Sequence, residues 1–467
     1  MPGLFQGIEL GKRALMGHQV SLQTIGHNIA NVNTPGFTRQ RVRISTSYPE
    51  LSVNGPIGTG LTVDDIYHVR DLFLGQQSRE AQKDLGRWSY LDKSLQQVES
   101  TFAEPGDDSL NDILNQFWND WSALSSDAEN SGHRSSIIAS ANQLINAFQG
   151  LATGLEEQQR STDRDLESLT TEVNRMTGEI ANLNQEIKRM EVGGSKANDM
   201  RDMRDRLVDE LAAIVDVNTA EQRDGTSTVY MGSMLLVDGN SSFNIGVDAV
   251  RDGEKITHVL VWEGSERRLK NVNGRIAGLI ETRDELIPRY LAELNRIART
   301  LVEQVNATHM AGYGLGGTTN VAFFDPNFTE AKNLRLNAEI VLDKNRIAAS
   351  DSANPDDRSN GRVATQMADL RNALIMSNQT STINQFYQSL IGSLGVEARE
   401  ASSFNQNSEL IAQQIENQRQ SVEGVSLDEE MVNLVKSQHA FDAASRVITV
   451  MDEALDTVIN QMGIVGR

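Results

Sequence analysis

The chain has 467 residues, which exceeds one typical domain, so we expect two or three. Its formal net charge of −21 at pH 7 argues against nucleic acid or an anionic membrane as the main partner, because both need a basic surface. The absence of cysteine excludes disulfides and thiolate metal sites, and no apolar run is long enough to span a membrane.

The first predicted element is a helix from about Leu4 to Ala30. Apolar residues recur in it at a strict spacing of seven, which is typical of a narrow seam between two paired helices. The residues of this stripe are Ile8, Leu15, Leu22 and Ile29. Glycines weaken the helix, so we expect it to be marginal alone in water. Polar residues between positions 6 and 13 interrupt the apolar core that a cleaved signal peptide needs.

A basic stretch begins within this helix and continues past its end. No acid lies in it, and its cations are Lys12, Arg13, Arg39, Arg41 and Arg43. We interpret the stretch as a local interface or targeting feature, with ordinary surface scatter as the alternative. Pro35 and Gly36 predict a type II turn that ends the helix, and extended chain follows to about Val63.

The chain from about position 71 to 211 is predicted to be nearly all helix. Its clearest part alternates spacings of three and four, which predicts a long coiled-coil-like helix. The residues of that pattern are Leu166, Leu169, Val173, Met176, Ile180, Leu183, Ile187 and Met190. The aromatic residues Phe117, Trp118 and Trp121 predict an anchor at a helix junction rather than a ligand site, because no reactive group accompanies them.

A charged helix is predicted from about Asn198 to Ala213. Aspartates at positions 199, 202, 205 and 209 recur on one side, with arginines between them. Such alternation is typical of a solvated face of ion pairs, which we favour here over a metal site.

The composition then changes to Val, Thr, Tyr and Met between Asp-Gly turn signals. Segments 226–237 and 255–262 predict a small β module of about 60 residues. Helix resumes at Arg275, with Pro288 marking a kink or a restart. Further helices are predicted from about Gly361 to Val422.

No motif of catalysis, cofactor binding or metal binding stands out. The loop Gly312–Gly317 resembles a phosphate cradle only superficially, since it lacks the GK[ST] ending. The acidic loop near Asp351 fails as an EF-hand, because Arg358 takes a ligand position. The seven histidines are scattered. A carboxylate pair could still be hidden among the 64 acids, so we treat the absence of a catalytic, cofactor or metal site as an expectation.

The last predicted helix carries a second stripe with the same spacing. Its residues are Leu427, Leu434, Phe441, Ile448, Leu455 and Met462. Ser426 is a predicted N-cap, with Glu429 completing a capping box. We expect the two stripes to pair with each other and with copies from neighbouring molecules. A permanently buried helix of a monomeric bundle is the alternative.

Two segments resemble signatures of the bacterial flagellar rod, hook and hook-associated proteins. Ile29–Phe37 resembles the ANxxTPGF/Y signature near the start of these proteins, and Gly424–Met431, continuing to about position 455, resembles the C-terminal one. The matching residues are Ala30, Asn31, Thr34, Pro35, Gly36, Phe37, Asp428, Glu429 and Glu430. We call the two segments the N-terminal and the C-terminal signature.

The long helical section is similar to that of the FlgK family, the first of two junction proteins between hook and filament. The similar segments include Leu110–Leu124, Ile180–Ile187 and Phe323-Phe324. Longer members carry a β domain between the phenylalanine pair and the segment that resembles Ile347–Ser350. Only some twenty residues join these segments here, so that outer domain is expected to be absent or vestigial.

The resemblance implies a mainly α, layered axial protein. Residues 1–75 and 424–467 would form an inner coiled coil, residues 76–214 and 274–423 a helical middle domain, and residues 215–273 the β module. It implies a structural, non-enzymatic, extracellular subunit at the hook–filament junction, exported without a cleaved signal peptide by the type III apparatus. Its partners would be the hook protein, the second junction protein and its own copies in a ring, with the chaperone FlgN on the C-terminal helix. No nucleic acid and no membrane insertion are expected, and the termini would order on assembly.

Three alternatives remain at this point. A hook or distal rod subunit shares both signatures, although the coiled-coil helix at 166–190 argues against it. A secreted adhesin would bind surface ligands as a monomer. A wall-cleaving or proteolytic flagellar component would need catalytic residues that the sequence does not reveal.

Overall fold

The computed structural model describes residues 2–52, 55–102, 109–252, 255–263, 268–269, 272–354 and 356–461. Helix dominates this part of the chain, which confirms the mainly α prediction. The chain divides into two compact units. The first unit comprises Met1–Leu85, Thr170–Gly274 and Ser408–Arg467, and the second Gly86–Leu169 and Arg275–Asn407. The division into an inner coiled coil, a helical middle domain and a β module, expected above from the resemblance, stays a prediction.

The helices are α1 (Pro2–Ala30), α2 (Leu72–Phe102), α3 (Leu110–Ser126), α4 (Ser131–Glu191), α5 (Asn198–Ile214), α6 (Arg275–Glu281), α7 (Ile287–Met310), α8 (Ala338–Leu342), α9 (Arg362–Asp369), α10 (Ile383–Glu423) and α11 (Leu427–Asp456). The strands are β1 (Gln40–Thr46), β2 (Glu50–Ser52), β3 (Gly55–Ile57), β4 (Leu61–His68), β5 (Val217–Glu221), β6 (Ser227–Met231), β7 (Met234–Asp238), β8 (Ser241–Ser242), β9 (Ile245–Asp252) and β10 (Lys255–Trp262). None of the helices in the described ranges is long and apolar enough to cross a membrane.

In the first unit, α1 and α11 pack along each other, which confirms the predicted pairing of the chain ends. Two glycines on α1 set how closely the helices approach. A Cβ atom added at Gly7 would lie 2.9 Å from Met451 Sδ, and one at Gly11 would lie 2.7 Å from Ile448 Cγ1. The glycines that weaken α1 in isolation therefore make room for the side chains of α11.

The segment after α1 forms the predicted turn and extended chain. Gly36 has φ +77°, and the Phe37 N–H donates to the Thr34 carbonyl at 3.2 Å, which confirms the turn. The strand β1 then pairs antiparallel with β4, with an irregularity in register between Arg43 and Ile44. The short strands β2 and β3 form a separate hairpin.

The β module predicted in the first unit is present as two separate sheets. Strands β5, β6, β7 and β8 form an antiparallel sheet in that order, and β9 pairs with β10. Asn184 of α4 is fully buried and fixes this sheet to the helix. Its amide donates to the Ser227 and Gly239 carbonyls, each at 2.8 Å, and accepts from the Ser227 N–H.

The prediction that α5 presents a solvated ion-pair face is wrong. Arg201, Asp202 and Arg204 are all buried, at 2–6% exposure. Arg201 pairs with Glu191 at 2.7 Å and also with Glu221. Arg201 thus pairs with glutamates outside α5 rather than with the aspartates of its own helix. This pairing compensates the charge and allows the side chain to be buried.

The second unit is built around one continuous apolar core. Phe117, Trp118 and Trp121 of α3 lie at its centre at 0–2% exposure, which confirms the predicted aromatic anchor. They pack on the Phe323-Phe324 pair, whose two N–H groups both donate to the side-chain oxygen of Asn306.

The restart predicted at Pro288 is also confirmed. A turn of π-helix at Thr282–Leu286 separates α6 from α7, and Pro288 falls in the first turn of α7, where its missing N–H costs no helical hydrogen bond.

Candidate functional site

The predicted assembly residues lie on the α1–α11 pair. All of them are half-buried except Leu455, which is buried, and Leu427, which is 48% exposed. The half-buried residues are Ile8, Leu15, Leu22, Ile29, Leu434, Phe441 and Ile448. Met462 lies outside the described residues. The structure thus places these residues on two helices that pack along each other, and their role at the seam and in contacts between molecules stays a prediction.

A second apolar surface lies on α11 away from the seam. Val432, Val435, Val447 and Val450 are 39–60% exposed, and the helical turn of 100° per residue places them roughly 100–160° around the helix from Leu434 of the seam. We call these residues the valine row. On α1, Phe5 and Met16 are likewise 61% and 56% exposed. The seven-residue spacing in the sequence does not reveal this surface, because Lys436, His439 and Arg446 lie between its apolar residues.

A group of polar side chains, which we call the polar clamp, joins the two signatures. The centre of the clamp is Arg39, whose guanidinium contacts Glu430 at 2.7 Å and Glu429 at 2.6 Å. Arg39 is 7% exposed and Glu430 only 2%. Burial lowers the pKa of Arg39, but hydrogen bonds to the two glutamates outweigh that effect and raise its pKa above the ordinary value. The buried charge is therefore compensated within the clamp.

Asn28, at 1% exposure, extends the clamp from α1. Its amide donates to Glu430 Oε2 at 3.0 Å and to the Gln40 carbonyl at 2.9 Å, and its oxygen accepts from the Gln40 N–H. One side chain thus connects α1, β1 and α11. This role of Asn28 is not visible in the sequence, because a single asparagine on a helix belongs to no recognisable pattern.

Two aspartates of α5 hold the chain on the other side of the N-terminal signature. Asp202 accepts from the Thr38 N–H at 2.9 Å and lies 3.0 Å from His68 Nδ1. Asp199 accepts from the Gln40 amide and lies 3.1 Å from His27 Nε2. The aspartate spacing noted in the sequence therefore serves to fix the N-terminal signature.

The end of α10 completes the clamp. The Glu423 carbonyl accepts from the Arg39 N–H at 2.8 Å, and its carboxylate accepts from the Asp71 N–H at 2.9 Å. Burial raises the pKa of the Glu423 carboxyl, against the opposing effect of the Asp71 N–H. α10 ends at Glu423, and the C-terminal signature starts at the next residue, Gly424. The hydrogen bond from Arg39 to Glu423 therefore holds the start of this signature close to β1.

The predicted capping box at the start of α11 is wrong. Ser426 is the N-cap residue, but its side chain makes no capping hydrogen bond. Glu429, the intended partner, is directed to Arg39 instead. A charged hydrogen bond to a guanidinium is stronger than one to a neutral backbone N–H, which accounts for the change of partner.

The described residues contain no cluster of three or more His, Asp or Glu side chains that could hold a metal ion. The geometry of the clamp, in which ion pairs and hydrogen bonds connect α1, β1 and α11, fits a joint between helices. Beside it lies a cavity of about 380 Å³, lined by the N-terminal signature and by the last turns of α10.

Comparisons with known proteins agree with this arrangement. Residues 95–324 match the family model of the flagellar hook-associated protein FlgK helical domain. Residues 8–38 match that of the flagella basal body rod protein, and residues 416–462 that of the flagellar basal body rod FlgEFG protein C-terminal region. The two terminal matches contain both signatures together with Asn28 and the clamp glutamates, and the first match ends one residue before Arg39.

The chain belongs to the FlgK family of flagellar hook-associated proteins.

Full-length relatives support the assignment. The chain is 29% identical to flagellar hook-associated protein 1 of Bacillus subtilis, with all of both chains covered. It is 24% identical to the protein of that name from Salmonella typhimurium and 23% identical to the one from Escherichia coli, covering 95% of this chain and 97% of each relative. This FlgK-family chain is therefore a structural component of the flagellum.

The fold agrees with a solved member of the family. The structure of the flagellar hook junction protein FlgK from Burkholderia pseudomallei superposes with a TM-score of 0.66 at 14% identity. The match covers 74% of this chain and all of the other. At that level of identity the likeness shows a shared fold, and the sequence comparisons carry the family assignment.

Proposed function

We propose that this protein forms the junction between the flagellar hook and filament, and that it assembles through its paired terminal helices. The valine row is the observation that carries the proposal. Isolated exposed apolar residues are ordinary, but a row of them along a helix whose other face is already packed marks an interaction surface.

In this proposal the seam and the valine row have different roles. The seam residues pair α1 with α11 inside each subunit, and the valine row with Phe5 and Met16 contacts neighbouring subunits. Burying one such side chain stabilises an interface by roughly 1.5–3 kcal/mol. Contacts of this kind between unlike surfaces repeat from subunit to subunit, as a ring or tube requires.

The polar clamp would align the two helices for assembly. Ala30 ends α1, Asn31 follows it, Thr34 through Phe37 form the turn, and Arg39 beyond the turn binds the glutamates of the C-terminal signature. Asp428, beside these glutamates, is exposed and could face a neighbouring subunit. The clamp thereby sets which residues of α11 face outward.

The expected partners follow from this position. The hook protein would lie on one side, the second junction protein on the other, and copies of this chain beside it in the ring. Before export the valine row needs a cover, since exposed apolar surface promotes wrong association. We propose that the chaperone FlgN supplies it on α11, and that the chain reaches the extracellular flagellum through the type III apparatus without a cleaved signal.

Deletion of the gene tests the role. Electron microscopy should show hooks without filaments, and flagellin should accumulate in the medium. Absent hooks would indicate a hook or rod subunit instead, and normal filaments would contradict any structural role at the junction.

A double variant tests the surface. Val435→Asp with Val450→Asp should fold normally, because both side chains are exposed, but should fail to restore filaments in the deletion strain. Val192→Asp is the matched control, since Val192 is 84% exposed in the first unit outside the helix pair. Filaments restored by the double variant would show that the valine row is not an interface.

A further inference from the structure

Arg134, in the first turn of α4, is a buried cation in the second unit. It is 1% exposed, and its two terminal nitrogens donate to the carbonyls of Ile347 and, at 2.8 Å, Ala128. Its Nε–H is buried and has no hydrogen-bond partner. A buried donor left unsatisfied in this way destabilises the folded state, so the position calls for an acceptor.

The charge of Arg134 also lacks a partner. Arg283, the other arginine of this unit with comparable burial, lies 3.1 Å from an Asp163 oxygen and 2.7 Å from one of Asp284. No carboxylate among the described residues comes within ion-pair distance of Arg134. Burial lowers its pKa to about 10, with only partial compensation from the more distant Asp343. An uncompensated buried charge is strongly unfavourable, and a counterion would relieve it.

A small cavity adjoins the Arg134 side chain. Its volume is about 20 Å³, which suffices for one water-sized species. Backbone of the loop at Gly314 and Gly317 forms one wall, and Ser350 and Ser352 lie on another. The Ser352 hydroxyl accepts from the Asn354 N–H at 3.2 Å and still has its own proton to donate.

The groups around the cavity set the charge of an occupant. Arg134 and the exposed Arg358 contribute two positive charges, and Asp357 contributes one negative charge. The small volume excludes sulfate and phosphate, which each need several such volumes. Gly314 keeps the cavity wall in place, because a Cβ there would collide with the Asn345 carbonyl and the Thr318 hydroxyl.

We propose that this cavity binds one small monovalent anion of the chloride class, held by the Nε–H of Arg134 and the hydroxyl of Ser352. Such an ion supplies both the missing acceptor and the missing countercharge. A water molecule would supply only the first. The site does not depend on the proposed junction role, since all of its residues belong to the second unit.

Bromide provides the direct test. Crystals of the full chain grown or soaked in sodium bromide should show an anomalous peak at the bromine edge beside Arg134 Nε. The same crystals should show no comparable peak beside Arg283, whose charge is already paired. Ordinary water density without an anomalous signal at Arg134 would overturn the proposal.

Unfolding in solution provides an independent test. At constant ionic strength, replacing sodium methanesulfonate with sodium chloride should raise the unfolding temperature of the full chain, in proportion to the logarithm of the chloride concentration once that exceeds the Kd. Chloride at ten times its Kd should increase the folding constant about tenfold. Arg134→Met should abolish the chloride effect, whereas Arg299→Met, at an exposed position of the same unit, should retain it. An equal chloride effect in wild type and Arg134→Met would contradict the site, and if that variant fails to fold, the bromide crystals decide.

Discussion

The two units of this protein are stabilised by different forces. The second unit has a continuous apolar core in which large aromatic side chains are completely buried. The terminal part of the first unit depends on close glycine contacts, half-buried seam residues and the polar clamp, and it leaves the valine row in water. In the proposed function, the second unit is complete within one subunit, whereas the terminal helices need neighbouring subunits to cover the valine row.

The largest expected effect concerns the core of the second unit. Trp121→Ala removes a side chain at 0% exposure that packs edge-on against Phe117 and Phe323, with ring centroids 6.3 and 5.5 Å away. We expect a loss of about 3–5 kcal/mol in the free energy of unfolding, measured by denaturant titration of the full chain. Trp88→Ala, at a half-buried tryptophan stacked on Phe404, is the control and should cost less. Equal losses of unfolding free energy in the two variants would contradict the prediction that the aromatic core of the second unit dominates its stability.

The corresponding change in the first unit is Arg39→Met. It leaves Glu430 buried without its countercharge, which costs about 3 kcal/mol in the local stability of the α1–α11 pair. Limited proteolysis should therefore cut both ends faster than in wild type.

Two further variants define this effect. Arg41→Met changes an exposed arginine on the same strand and should leave the cleavage rate unchanged. Glu430→Met added to Arg39→Met should recover most of the loss, because an apolar pair replaces the ion pair. If wild-type ends are cleaved as fast as those of Arg39→Met, the clamp is not formed in the free subunit. The predicted disorder of the termini before assembly would then be confirmed.

The second unit should also have its own response to acid. His309 is 1% exposed, and its ring bonds the Val321 carbonyl at 2.7 Å and the Ala348 N–H at 2.9 Å, so it is neutral. Burial lowers its pKa to about 4, despite the opposing bond to Val321. The unfolded chain, with an ordinary pKa of about 6.5, binds the proton more readily. Stability from this group is thus complete above pH 6.5 and falls by roughly 3 kcal/mol as the pH drops to about 4.

Denaturant titrations from pH 7 to 4 check this expectation. His309→Gln should flatten the loss of stability between pH 6.5 and 4, even if it lowers stability at every pH. His133→Gln, a half-buried histidine of the same unit, is the control and should keep the wild-type slope. Parallel pH profiles for wild type and His309→Gln would show that the buried ring is not the source.

The smallest expected effect distinguishes the clamp from an ordinary helix cap. Since the Ser426 side chain makes no capping bond, Ser426→Ala should change stability by less than about 0.5 kcal/mol. A working capping box would lose about 1 kcal/mol. Hydrogen exchange of the first turn of α11 measures the difference, with Glu429→Ala as the comparison, because that change removes a contact to Arg39.

Local patterns were enough for much of this fold. The stripe from Leu166 to Ile187 predicted most of the buried side in the C-terminal half of α4, and the pairing of the chain ends followed from two matched heptad stripes. Met190, which continued the α4 pattern, is 52% exposed, because the helix ends one residue later and has no neighbour there to cover it.

The candidate site was only half visible in the sequence. The two signatures marked its residues, including Glu429 and Glu430, but gave no indication that Arg39 and Asn28 bind them. The valine row was missed as well. A period of seven identifies the face that packs within a helix pair, and an interface outside the pair need not follow that period.

The sequence by itself determined which segments are mainly helical, which apolar face the most regular helices pack, and to which family the chain belongs, because these depend on residues a few positions apart or on short signatures. The tertiary structure alone decided the partners of the charges. Arg39 and Glu430 are 391 positions apart, and the aspartates of α5 lie more than 130 positions from the groups they bind. Periodicity carries no information over such distances in the sequence. A buried charge pairs with whichever opposite charge the fold brings close to it, and that partner can come from any part of the chain.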